Sequence, residues 1–336
     1  MKTLFLTALF FPLLSGAQSP SELRHQAFQG NDIQRICDLT VVPAGKPGVY
    51  FLNYPSIQSD NHRLYFAQRN SENLNQSLFY SLSIDGHQEM QMIIPGVVVD
   101  FLVDGDNLYL IKKDSSLEKW SLAKREKQTS YPTTERSIDN LKKRPTGLVL
   151  FENQLFISHG MLGVTVLDLA SGKITAEIPL AQGQPYDLQS QAADIASNGS
   201  MAYITMESAN YDPQGRGIPF NGFITVDMKS RNVMKQTPIN TTQEVFGFPK
   251  IEISNDTAIV QNSGILLTYP LAMLDSEKIA YPTKRIWAQD RNGVPLGRVW
   301  ADETAIYSCM KENIVDQTGG RTKVTMHGLP YVFPLN

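Results

Sequence analysis

Six ionisable side chains recur at comparable places along this chain: Asp100, His159, Asp194, Glu207, Lys250 and Arg298. Carboxylates grouped with histidine or asparagine make an oxygen-rich site for a divalent cation such as calcium or magnesium, and the histidine admits transition metals. The competing reading is that these groups are solvated or paired, Asp100 and Asp194 with Lys250 and Arg298, around a water-filled channel. A second group lies in the segment ESANYDPQGRGIPFN at 207–221, where Tyr211, Arg216 and Phe220 stand among Gly and Pro. Aromatics and Arg on a long loop are the residue types that binding surfaces use. Other catalytic templates are missing: there is no Gly-Lys-Ser/Thr phosphate loop, HExxH, CxxC or GxSxG. The five histidines are scattered, and no Ser-His-Asp set follows from their spacing.

What would bring these residues together is a repeat. A hairpin-like segment recurs six times: YPSIQSDNHRLYFAQ from Tyr54, VVDFLVDGDNLYLIK from Val98, PTGLVLFENQLFISH from Pro145, AADIASNGSMAYITM from Ala192, FPKIEISNDTAIVQN from Phe248 and GRVWADETAIYSCM from Gly297. Each is an apolar strand, a polar turn and a second apolar strand. The first apolar residues, Ile57, Phe101, Leu148, Ile195, Ile251 and Trp300, lie 44, 47, 47, 56 and 49 residues apart. Four of the copies continue into a second alternating pair, at 77–93, 116–132, 163–179 and 222–238, and a looser pair follows the fifth at 264–282. Four strands per unit at this period predict an all-β fold, a six-bladed β-propeller with the first strand of each blade lining the channel.

The sixth unit offers only one further strand, KVTMHGL at 323–329. The segment RICDLTVVP at 35–43 has strand character and no repeat of its own, so it is expected to close the ring as the outer strand of blade six. Seven blades, the extra one built from 18–53, is the alternative. The domain reading is a leader at 1–17, an arm at 18–34 and one propeller domain at 35–336.

The leader reading rests on Lys2, an apolar core from Leu4 to Leu14, and Ser15-Gly16-Ala17 before Gln18. It predicts an exported protein, periplasmic or secreted, and no integral membrane segment is expected. An oxidising compartment permits a Cys37–Cys309 bridge joining the two ends of the ring; two buried thiols are the other reading. With 42% hydrophobic and 19% charged residues the chain suits a folded protein. A net charge of −3, with only the short basic runs KREK and KKRP, argues against nucleic acid as a partner.

The segments LYFAQ, PTGLVLFENQLFISHG and GVTVLDLASGKI are similar to blades of six-bladed secreted or periplasmic propellers, including the gluconolactonase and senescence-marker-protein group. That resemblance implies a Glu, two Asn and an Asp on inner strands holding a metal for lactone hydrolysis. This chain departs from the pattern, with Pro145-Thr146-Gly147 where the group has Pro-Asn-Gly, and Tyr54-Pro55-Ser56 where its Glu would stand. The functional expectation is therefore a module that binds a protein, glycan or small molecule through its loop face. A metal-dependent lactonase and a structural part of an envelope assembly are the alternatives, and no cofactor is assigned.

Overall fold

Each copy of the repeat forms the two innermost strands of a sheet, because its apolar anchor must leave water. Ile57, Phe101, Ile195 and Ile251 are fully buried, Leu148 is 1% exposed and Trp300 9%. Each such side chain stabilises the fold by roughly 1.5–3 kcal/mol. The computed structural model describes residues 20–335, apart from 39–40, 44–49, 53–55, 61, 71, 133–144, 181–189, 209–219, 241–245, 248, 263–264, 288–292 and 317–322. The leader at 1–17 and the loop residues Tyr211 and Arg216 lie outside the described residues.

Six antiparallel sheets are arranged as a propeller. Their inner strands are Ser56–Ser59, Val98–Asp104, Gly147–Phe151, Ser190–Asn198, Lys250–Ser254 and Gly293–Ala301. These strands neighbour one another in sequence, and the sixth lies beside the first, which closes the ring. Five blades have four strands in simple meander order. The fifth departs from a plain outer hairpin: after Ile265–Pro270 comes a short helix, Leu271–Ser276, before the last strand, Lys284–Trp287.

The hairpin turns are held by side chains as well as by backbone. Asp60 Oδ1 accepts the amides of His62 and Arg63, and its Oδ2 accepts the Tyr65 hydroxyl at 2.8 Å. Asp302 does the same in the sixth blade, taking the amides of Thr304 and Ala305 and the Tyr307 hydroxyl.

Closure differs in detail from the expected outer strand. Among the described residues the sixth blade has three strands, Gly293–Ala301, Ala305–Asp316 and Lys323–Pro334. The chain at 35–43 is not one strand: α1 (Pro20–Phe28) is followed by α2 (Asn31–Asp38), and Val41–Pro43 pairs with Tyr50–Leu52 in a separate ribbon. The reason is visible in α2. Ile33, Ile36 and Cys37 fall on one helical face and are fully buried. They join Phe28 in a core shared by Ile57, Phe66 and Tyr80 of blade one and by Trp300, Tyr307 and Cys309 of blade six. The N-terminal segment thus closes the ring as a helical wedge between the first and last blades, and no seventh blade forms from the described part of 18–53.

Polar contacts fix the wedge on both sides. Arg24 pairs with Asp302 at 3.5 Å and lies over the Trp300 ring. Asp32 accepts the Gln88 amide, and Arg35 donates to the Gln88 side chain at 2.6 Å. Cys37 and Cys309 are bridged, across 272 residues of sequence.

Candidate functional site

The channel is built from the inner strands, and three of them carry a bulge. The pairing register shifts between Val98 and Asp100, between Ala192 and Asp194, and between Leu296 and Trp300, where Arg298 lies. A bulge re-aims a side chain that regular pleating would send elsewhere. Here the three re-aimed residues, Asp100, Asp194 and Arg298, meet.

Arg298 is the hub. Its Nη1 donates to both oxygens of Asp100, at 2.9 and 3.2 Å. Its Nη2 donates to the carbonyls of Ile195 at 2.8 Å and Ile251 at 3.1 Å, and its Nε to Ile251 again at 3.3 Å. Asp194 lies 3.9 Å from Nε and Glu252 lies 3.7 Å from it. The carboxylates are also held by backbone: Asp100 accepts the Leu148 amide, and Asp194 accepts the Ile251 amide at 2.9 Å. Lys250 completes the set, 3.6 Å from Asp194 and donating to the Thr146 carbonyl at 2.8 Å. These contacts join blades two to six, and Gln58 ties blade one to blade two by accepting the Val103 amide.

Gly147 is part of the same construction. A Cβ there would stand 2.1 Å from Asp194 Oδ1, so the absence of a side chain makes room for the carboxylate.

Electrostatics follow from burial. Arg298 is 4% exposed, Asp100 1% and Asp194 not at all. Burial would lower the Arg298 pKa, but Asp100, Asp194 and Glu252 around it outweigh that and raise it. Burial pushes the Asp100 carboxyl up, against the pull of Arg298. Glu252 is pushed up to about 7, by its removal from bulk water first and then by Asp194 and Asp100, with Arg298 opposing. Its side chain keeps 20% of its surface open.

The structure brings four of the sequence-nominated residues together: Asp100, Asp194, Lys250 and Arg298. They are paired, which is the competing reading of the charges. Glu207 stands apart on the second strand of blade four, 6% exposed and accepting a hydrogen bond from Gln191. His159 is not at an open mouth. The turn after Gln154–Ser158 folds it back, its amide donating to the Gly163 carbonyl, and the ring ends 2% exposed beside Ile111, Leu117 and Ile157. Burial alone lowers its pKa to about 4, which keeps it neutral at pH 7. Phe220 is half-buried against the core shared by blades three and four.

Glu252 was missed. Period two along the strand could have found it, since Lys250 and Glu252 share a face of Lys250–Ser254. Among the described residues no group of three or more His, Cys, Asp or Glu is placed to hold a metal ion, and no helix is long and apolar enough to cross a membrane.

No protein-family model matches the sequence, and no curated protein matches it. Solved structures do. The chain is similar to the WD40 repeats of RRP9, with a TM-score of 0.51 and 10% identity over 86% of this chain and 83% of that one. It also matches the extracellular domain of the one-component system BT4673 of B. thetaiotaomicron, with a TM-score of 0.49 and 16% identity over 86% of this chain and 34% of that one. A third match is BamB from Moraxella catarrhalis, with a TM-score of 0.46 and 11% identity over 81% and 93%. At these identities the first match supports the propeller fold and nothing finer.

Proposed function

We propose that this protein is an exported binding module that engages a protein, glycan or small-molecule ligand through the loop face carrying 207–221. The observation that carries this reading is how the channel carboxylates are used. Asp100 is hydrogen-bonded to Arg298 and the Leu148 amide, and Asp194 to the Ile251 amide, with Lys250 3.6 Å from its Oδ1. Among the described residues the inner strands present these carboxylates paired with cations rather than as a convergent oxygen set of the kind a lactonase metal needs. The centre acts as a rigid hub, and recognition falls to the loops.

The 207–221 loop has firm stems. Glu207 is bonded to Gln191 at its start. At its end Ser190 donates to the Phe220 carbonyl, and Asn221 exchanges two hydrogen bonds with the Phe246 backbone. Fixed stems lower the ordering cost of binding. Tyr211 and Arg216 are the proposed contact residues, with Phe220 at the base. Export is supported by the leader at 1–17 and by the Cys37–Cys309 bridge, which suits an oxidising compartment.

Site-specific photo-crosslinking tests this. A photoreactive amino acid at Tyr211 should yield a discrete adduct in the native compartment, while one at exposed Lys278 should not. Metal-dependent turnover of lactones or esters, lost in Asp194→Asn with the fold intact, would overturn the reading in favour of a hydrolase.

A further inference from the structure

The channel has a second opening, on the face of the hairpin turns and away from the starts of the inner strands. It is a pocket of about 230 Å³ to which all six inner strands contribute, from Gln58 in the first blade to Trp300 in the sixth. Its walls are mixed: Leu102, Val149, Ile253 and Trp300 stand beside the polar Gln58, Ser59 and Ser197. Two charged groups line it, Glu252 and Arg298.

These two are not equivalent. The guanidinium of Arg298 is committed on Nε, Nη1 and Nη2 to Asp100 and to the carbonyls of Ile195 and Ile251. It has little left to offer an incoming anion. Glu252 is the reverse: no hydrogen bond reaches its carboxylate among the described residues, and its sole ionic neighbour is Arg298 Nε at 3.7 Å. The hub has three carboxylates, Asp100, Asp194 and Glu252, against two cations, Arg298 and Lys250. The charge left unmatched is the one that faces the pocket.

We infer that this pocket binds a primary ammonium group on a short alkyl stem, the ammonium on Glu252 and the stem against Leu102, Val149, Ile253 and Trp300. A carboxylate without a hydrogen bond, in a pocket that also presents these four apolar side chains, meets both needs of such a ligand, a charge-assisted hydrogen bond for the head and apolar contact for the methylenes. A calcium ion would need about six to eight oxygen ligands, which this cup does not supply. The ammonium comes either from a free amine or from a lysine side chain of a partner. The site lies at the other end of the channel from the 207–221 loop, so it stands or falls separately from the proposed function.

The pH response adds a signature. Glu252 faces Arg298, Asp194 and Asp100 from three other blades and shares its own strand with Lys250, and these surroundings hold its carboxyl up at about 7. Binding of an alkylammonium should therefore strengthen between pH 6 and pH 8, as the carboxylate forms.

The test is titration calorimetry on the purified protein with 1-pentylammonium, its neutral counterpart 1-pentanol, and N-acetyl-lysine methylamide. Pentylammonium should bind at least about tenfold more tightly than pentanol at pH 8, the worth of one charge-assisted hydrogen bond. Glu252→Gln should erase that preference while keeping the wild-type circular dichroism. Equal binding of the lysine amide assigns the site to a partner's side chain, and binding of the free amine alone assigns it to a small molecule. Equal affinity for pentylammonium and pentanol, or an undiminished preference in Glu252→Gln, would overturn the inference.

Discussion

Replacing Glu252 by Gln isolates the charge balance of the channel in one measurement. Gln keeps the size of the side chain and removes the unmatched negative charge, leaving Asp100 and Asp194 against Arg298 and Lys250. The magnitude follows from the carboxyl's displacement from 4.5 to about 7. At about 1.36 kcal/mol per pH unit, that gap is on the order of 3 kcal/mol. The folded protein keeps the Glu252 proton up to about pH 7, whereas the unfolded chain gives it up near 4.5. Between those values the folded state binds the extra proton, so the stability due to Glu252 falls as pH rises and levels off above about 7. Gln does not titrate. The two proteins should therefore be similar in stability near pH 4, and the Gln variant should be more stable at pH 8 by on the order of 3 kcal/mol.

Urea denaturation across pH 4 to 8, compared at each pH, reads this directly. Titrations of groups remote from Glu252 are common to both proteins and drop out of the difference. A difference that stays flat with pH, or a Gln variant less stable than the parent at pH 8, would refute the assignment of Glu252 as a strained carboxylate.

Arg298→Met leaves Asp100 and Asp194 buried without their main partner and should cost about 3–5 kcal/mol in urea unfolding; adding Asp100→Leu should recover much of that loss. Reduction of the Cys37–Cys309 bridge, or Cys37→Ser with Cys309→Ser, frees the wedge between blades one and six and should lower stability by about 2–5 kcal/mol, with unfolding faster in stopped-flow measurements. His159 is held neutral by burial, with a folded pKa of about 4 against an ordinary 6.5, so its contribution is present at neutral pH and is lost as pH falls from 6.5 towards 4. His159→Leu should remove that acid sensitivity, worth on the order of 3 kcal/mol at pH 4. Because His159 and Glu252 titrate in opposite senses between about 4.5 and 6.5, the parent profile should be flatter there than that of either variant.

The legible part of this protein is the part set by local periodicity. All six anchors named from the repeat are buried, and the expected outer hairpins of the first four blades fall on Gln76–Ser83 with Gln88–Pro95, Leu117–Ser121 with Glu126–Tyr131, Val164–Asp168 with Lys173–Ile178, and Gly222–Asp227 with Asn232–Pro238. The segment around Cys37 was harder because its residues satisfy two patterns. The run RICDLTVVP reads as a strand, while Ile33, Ile36 and Cys37 share a helical face, and the choice depends on a cavity between blades one and six that only the closed ring creates. His159 failed for a related reason, since its position at a strand exit said nothing of the turn that folds it inward.

The channel shows a different limit. Residue types alone named Asp100, Asp194, Lys250 and Arg298, but not their geometry, because each of the first two and Arg298 depends on a bulge that adds no sequence signature of its own. Asp100 and Arg298 are 198 residues apart, and their pairing exists only once blade six has come round beside blade five. That dependence gives the hub a role beyond holding charge. Without blade six, Asp100 and Asp194 would lack Arg298, the cation that lies against both. Docking of the last inner strand supplies that cation, so the hub links blade six to blades two and four. Of the three hub carboxylates, Glu252 is the one that this closure leaves without a hydrogen bond among the described residues, and it is the one that lines the pocket.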